Sequence, residues 1–126
     1  MKRVVTAALL AVFVLVICTA CRMVTEKQVE RITDTMVQLD EALLLGKTDE
    51  ALEISQAFLK DWEGIHDQLC LFLQHEHLDP LENIFSVLPY YIAQGEITLA
   101  RAQCRTVETT ANHILKTEHV TLHNIL

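Results

Sequence analysis

An all-α fold, an N-terminal transmembrane helix followed by an antiparallel four-helix bundle made of two helical hairpins, is predicted by three observations. The first is an unbroken run without a charge, residues 4–21 (VVTAALLAVFVLVICTAC), preceded by Lys2 and Arg3 and followed by Arg22. The second is a set of apolar stripes at 3-4 spacing through the rest of the chain, the period of a helix with one buried face. The third is composition. Only three Gly and two Pro interrupt 126 residues, and outside the apolar run β-branched residues occur singly rather than alternating, which favours helix over strand.

Eighteen residues at about 1.5 Å each reach roughly 27 Å, close to the hydrocarbon thickness of a bilayer. The basic start places Met1 in the cytoplasm and the following domain outside it, with Arg22 and Lys27 working against that bias. Residues 1–22 read as an anchor and 23–126 as an extracytoplasmic domain. Three fates compete for the apolar run: an uncleaved single-pass anchor, a lipoprotein signal with lipid on Cys21, and a cleaved signal peptide. Cys18, Thr19 and Ala20 only partly meet the small-residue requirement of cleavage, and Cys18 stands where lipoprotein signals usually carry Leu. The anchor needs no further feature and is the first expectation.

In the first helix of the domain Val29, Ile32, Met36, Leu39 and Leu43 form the stripe, and Gly46 is a C-cap candidate. Because no Gly or Pro separates this stripe from residues 4–21, anchor and first helix are expected to form one rod of roughly 60 Å. Thr48 or Asp49 is expected to cap a second helix with the stripe Ala51, Ser55, Phe58, Trp62, Ile65, Leu69 and Phe72, ending near His75 to His77. Asp79-Pro80 then reads as the start of a third helix carrying Leu81, Ile84, Phe85, Leu88, Tyr91 and Ile92, kinked at Pro89 and closed by Gly95. Ile97, Ala100, Cys104, Val107, Ala111 and Ile114 mark the fourth.

An offset of 49 residues superposes the halves: Val29 on Leu78, Ile32 on Leu81, Met36 on Phe85, Leu39 on Leu88, Leu43 on Ile92, Gly46 on Gly95, Ala51 on Ala100, Phe58 on Val107 and Ile65 on Ile114. Two stacked hairpins follow, arranged as a bundle or as a short tetratricopeptide-like pair, with the bundle preferred.

Setting Lys2 and Arg3 aside leaves 8 basic against 17 acidic residues, a net charge of −9 on the chain after Cys21. Such a surface repels phosphate. It excludes nucleic acid as a partner and argues against flat adsorption on anionic headgroups. The partners expected are the lipid bilayer, through residues 4–21, and an envelope protein; the oligomeric state stays open.

Chemistry-bearing patterns are few. His75 and Asp79 lie four apart, with His77 and Glu82 nearby, giving a carboxylate-oriented imidazole suited to metal ligation; against this stands a purely structural role for Asp79 as a helix cap. Glu63-x-x-His66 has the form of a di-iron half-motif, but the 49-residue offset puts Asn112 and Leu115 at the matching positions, so a second half is missing. Cys70 and Cys104 are disulfide candidates. A bridge would close a loop of about thirty-five residues and contribute roughly 3–4 kcal/mol, and the alternative is two thiols. The apolar tail, residues 119–126, either docks on the bundle or serves as a recognition peptide. No cofactor signature and no nucleophile-base pair is recognisable, so no enzyme is expected.

Trp62, Leu71-Phe72, the run His75-Glu76-His77-Leu78-Asp79 and the ending Leu122-His123-Asn124-Ile125-Leu126 resemble the domain of unknown function 4363 family, small single-anchor bacterial membrane proteins. The likeness extends over nearly the whole chain. Where a second acidic residue is common after the His-Glu pair this chain has His77, and Pro89 and the cysteines near residue 20 also depart from the pattern. The resemblance implies a membrane anchor, a helical extracytoplasmic domain and a Gram-positive, spore-former-like setting, and brings no activity with it. The function expected is a non-enzymatic interaction or structural module of the cell envelope; the alternative is a small-ligand or metal-binding domain using His75 and Asp79.

Overall fold

The apolar stripes are realised as helices throughout. The computed structural model describes residues 1–125, with side-chain surroundings as far as Glu118, and so the expected docking of residues 119–126 lies outside the described residues. Its elements are α1 (Lys2–Leu44), α2 (Thr48–Cys70), α3 (His75–Ala93) and α4 (Ile97–Ile125). Each helix packs on the next and α4 returns to α1. This closure makes a four-helix bundle rather than an open pair of hairpins.

α1 is a single rod of 43 residues, about 65 Å at 1.5 Å per residue. Its first half is apolar and wholly unburied, with a window of mean hydropathy 2.8. Its second half is a wall of the bundle, buried from Thr25 through Val29, Ile32, Met36 and Leu39 to Leu43. The same helix therefore meets two surroundings, and the change falls between Cys21 and Thr25.

The turns after α1 and α3 have one construction. Gly46 and Gly95 adopt φ of 75° and 77°, the left-handed conformation that costs a residue with a Cβ. Lys47 N–H donates to the Ala42 carbonyl and Gly46 N–H to that of Leu43; 49 residues on, Glu96 N–H donates to Tyr91 and Gly95 N–H to Ile92. Both are Schellman closures, which satisfy carbonyls that the helix ends would otherwise leave open. Burial repeats with the same offset. All the superposed apolar pairs are buried, and so are two more, Ser55 with Cys104 and Trp62 with Ala111. Trp62 meets the Phe85 ring edge-on at 4.7 Å, and Phe58 meets Phe85 at 4.8 Å.

Side-chain pairs between helices fix the register. Gln28 bonds Gln68, Arg31 bonds Asp61 at 2.6 Å, and Arg101 bonds Asp40 at 2.7 Å. The Asp40 carboxylate holds the Arg101 guanidinium above its ordinary pKa, chiefly through this hydrogen bond.

Several local expectations are corrected. α2 stops at Cys70 and α3 begins at His75, with extended Gln74 as its N-cap. Asp79 is therefore the fifth residue of α3 rather than its cap, and Pro80 lies inside the helix. The cause is Leu78, which is fully buried and shares a face with Leu81 and Phe85 only if helix already surrounds it. The far end of α3 is as expected, the helix running through Pro89 to Ala93 just before Gly95. At the head of α2 the N-cap is Lys47, whose carbonyl accepts the Ala51 N–H; Asp49 and Glu50 instead complement the helix dipole in the first turn.

Cys70 and Cys104 are free thiols, as are Cys18 and Cys21. Cys70 ends α2 and is half-buried, whereas Cys104 is sealed in the core of α4 near Asp40 and Arg101. Burial, reinforced by Asp40 and Glu108, pushes the Cys104 thiol up to about 12.

Gly46→Ala and Gly95→Ala should each destabilise the bundle by about 1 kcal/mol or more, since a Cβ meets nothing within 4 Å at either site and only the positive φ opposes it. Equal losses in urea unfolding would confirm that the two turns are equivalent. Because the Cys104 thiol is raised to about 12 in the folded chain from an ordinary value of 9.0, unfolding releases a proton above that ordinary value. Stability should thus be unaffected below about pH 9 and decline as pH rises toward 12. Denaturant titrations of the wild type and Cys104→Ala across this range should show part of that decline vanish in the variant.

Candidate functional site at the α2–α3 corner

Residues 71–74 join α2 to α3 at the end of the bundle from which the apolar half of α1 projects. The corner is tight: the Leu69 carbonyl accepts both the Phe72 N–H at 3.0 Å and the Leu73 N–H at 2.8 Å. His66 and Cys70 stand one turn apart on α2, on one helical face, and the reversal brings His75, the first residue of α3, onto the same spot. Cys70 Sγ lies 3.6 and 3.5 Å from the two ring nitrogens of His66 and 3.4 Å from His75 Nδ1. The ligand atoms of all three residues fall within 4.8 Å of one another.

One wall of this cluster is apolar and the other acidic. The Trp62 ring stands edge-on to His66 at 5.7 Å. On the open side, Asp67 Oδ1 lies 3.9 Å from His66 Nδ1, and Glu82 Oε2 lies 4.0 Å from His66 Nε2. The Cys70 thiol is pushed above its ordinary value by burial first and then by the negative charges of Asp67, Asp79 and Glu82. In isolation the thiol thus stays protonated, and the field that keeps it so attracts cations.

The residues expected from sequence are divided by this geometry. His75 joins the cluster, Asp79 acts on it electrostatically, and His77 faces away into a separate groove. That groove has a volume of about 430 Å³ and lies between α1, the corner and α4, with Cys18, Cys21, Thr25, His77, His113 and Thr117 among its walls. Cys21, the lipidation candidate, is half-buried there. Glu63 and Asn112 are exposed and the interior is apolar, so Glu63-x-x-His66 is not half of a di-iron core; His66 serves the corner instead.

The set of His66, Cys70 and His75 is not visible as a motif in the sequence. On an uninterrupted helix His75 would sit about 140° around the axis from Cys70, and only the break at residues 71–74 folds it back. The usable signal was the i, i+4 pair of His66 and Cys70, which matters once the end of α2 is known.

No curated protein and no solved structure matches this chain. The family model for the domain of unknown function (DUF4363) matches residues 21–125, the whole bundle from the point where α1 leaves its apolar half. The chain, with its closed ring of helices and its histidine-cysteine corner, belongs to the DUF4363 family.

Proposed function

We propose that this chain is a membrane-tethered, non-enzymatic interaction module of a bacterial cell envelope, held by residues 4–21 of α1 with the bundle on the extracytoplasmic side. The observation that carries the reading is the continuity of α1. An apolar rod exposed along its entire first half runs without a break into a helix whose second half is packed. Residues such as Leu9, Phe13 and Val16 are each about 60% or more exposed, a surface that water disfavours and lipid accepts. The corner supports the same arrangement. Leu71 and Phe72 are exposed at the level where the apolar rod ends, the place of a bilayer interface. At the opposite end Leu44, Leu45, Tyr90 and Leu99 are exposed within about one turn of the tip, and this distal surface is the one offered to an envelope protein.

Lipid on Cys21 is the competing form of tether, and it requires α1 to be cut before that residue. In cells, the mature protein should retain its Lys2-Arg3 terminus by mass spectrometry, resist alkaline extraction from membranes and be degraded by protease added outside. A mature chain starting at lipidated Cys21, or a bundle protected from external protease, would overturn the anchor or the orientation respectively. Photocrosslinkers at Leu45 and Tyr90 should give a discrete adduct that one at Thr106, on the side of α4, does not; silence at both distal positions counts against the interaction role.

A further inference from the structure

We propose that His66, Cys70 and His75 bind one zinc-class divalent ion, with an imidazole from each histidine, the cysteine thiolate and a fourth position left to water or a neighbouring carboxylate.

Separation of the ligand atoms is the first argument. Zinc takes nitrogen at about 2.0–2.1 Å and sulfur at about 2.3 Å in a tetrahedral arrangement, so donor atoms of one site stand about 3.3–3.7 Å apart. Cys70 Sγ has these separations, 3.5 and 3.6 Å from the His66 ring nitrogens and 3.4 Å from His75 Nδ1, and a turn of the His66 ring about its side-chain bond aims one nitrogen at an ion beside the sulfur. The remaining edge, between the two imidazoles, is within 4.8 Å, and rotation of the exposed His75 side chain shortens it. A pair of nitrogens with one sulfur is a donor set of intermediate softness, which suits zinc better than calcium or magnesium.

The surroundings supply the second. A metal-bound histidine is commonly oriented by a carboxylate at its other nitrogen. His66 has one on each side, Asp67 near Nδ1 and Glu82 near Nε2, so whichever nitrogen ligates, the other faces a carboxylate. Asp67, Asp79 and Glu82 add negative charge around the sulfur, offsetting part of the ion's charge. Binding releases the thiol proton to solvent. The ion would then join α2 to α3 across the corner, since two ligands precede residues 71–74 and one follows them.

The site stands on the bundle alone and does not depend on how α1 is tethered. The test uses the full chain in detergent, purified without a histidine tag. After dialysis it should retain one equivalent of Zn²⁺, and Co²⁺ in its place should give a thiolate-to-cobalt charge-transfer band with tetrahedral ligand-field absorption. Trp62, the single tryptophan of the chain, lies beside His66 and should be quenched by Co²⁺. Cys70→Ser should abolish the charge-transfer band, and His66→Ala or His75→Ala should weaken binding by at least about tenfold, while His77→Ala and Cys104→Ser leave it unchanged. The cobalt band is read on the wild-type chain, so a folding defect in a variant does not obscure it. Absence of the band, survival of the band in Cys70→Ser, or less than a stoichiometric equivalent of zinc would overturn the proposal.

Discussion

The structure depends on one helix satisfying two environments without interruption. α1 is exposed along its apolar first half as far as Ala20 and then, from Thr25 onward, contributes a full wall to the core. A glycine or proline between these halves would let the bundle swing; the sequence has neither there. The bundle is consequently held at a set angle to the apolar rod, and everything at its near end, the corner, the groove and the exposed Leu71 and Phe72, has a defined position relative to the rod's terminus.

Around α1 the division of labour between apolar and polar contacts is clear. The core consists of superposed layers in which Trp62, Phe58 and Phe85 supply the largest surfaces and Ala51, Ala100 and Ala111 let helices approach closely. Charged pairs sit outside it. Arg31 with Asp61 and Arg101 with Asp40 are each a third or more exposed, where an ion pair contributes little to stability. Their effect is register: they select which turn of α2 and α4 lies beside which turn of α1, a choice that repeating apolar layers leave nearly degenerate.

Legibility in the sequence follows the same division. The stripe residues, both glycine turns and the 49-residue correspondence were readable because burial on a helix imposes a period, and because a left-handed position selects glycine. The α2–α3 corner was not. Leu71, Phe72 and Leu73 extend an apolar pattern past the true end of α2, and Asp79-Pro80 imitates a helix start, so the sequence signals place the turn five or more residues late. The buried Leu78 decides the matter, and its burial is a tertiary fact. That local displacement was enough to separate His75 from His66 and Cys70 and to group it with Asp79 instead.

The position of the corner within the repeat gives it its chemical character. Most of the bundle is constrained twice over, since most core positions have a buried counterpart 49 residues away, Leu69, whose counterpart is Glu118, being an exception near the corner. The connection between the hairpins has no counterpart turn among the described residues: one hairpin ends there and the other begins, and the positions 49 residues further on lie within α4. The counterparts of His66, Cys70 and His75 are Leu115, His119 and Asn124, a set without the same donors. Polar side chains can gather at this junction without breaking a core layer, and they do so against Trp62, the large residue whose counterpart is the small Ala111. Histidine and cysteine are thus concentrated at the one turn that the internal symmetry does not dictate, beside the point where α1 passes from its apolar half into the bundle.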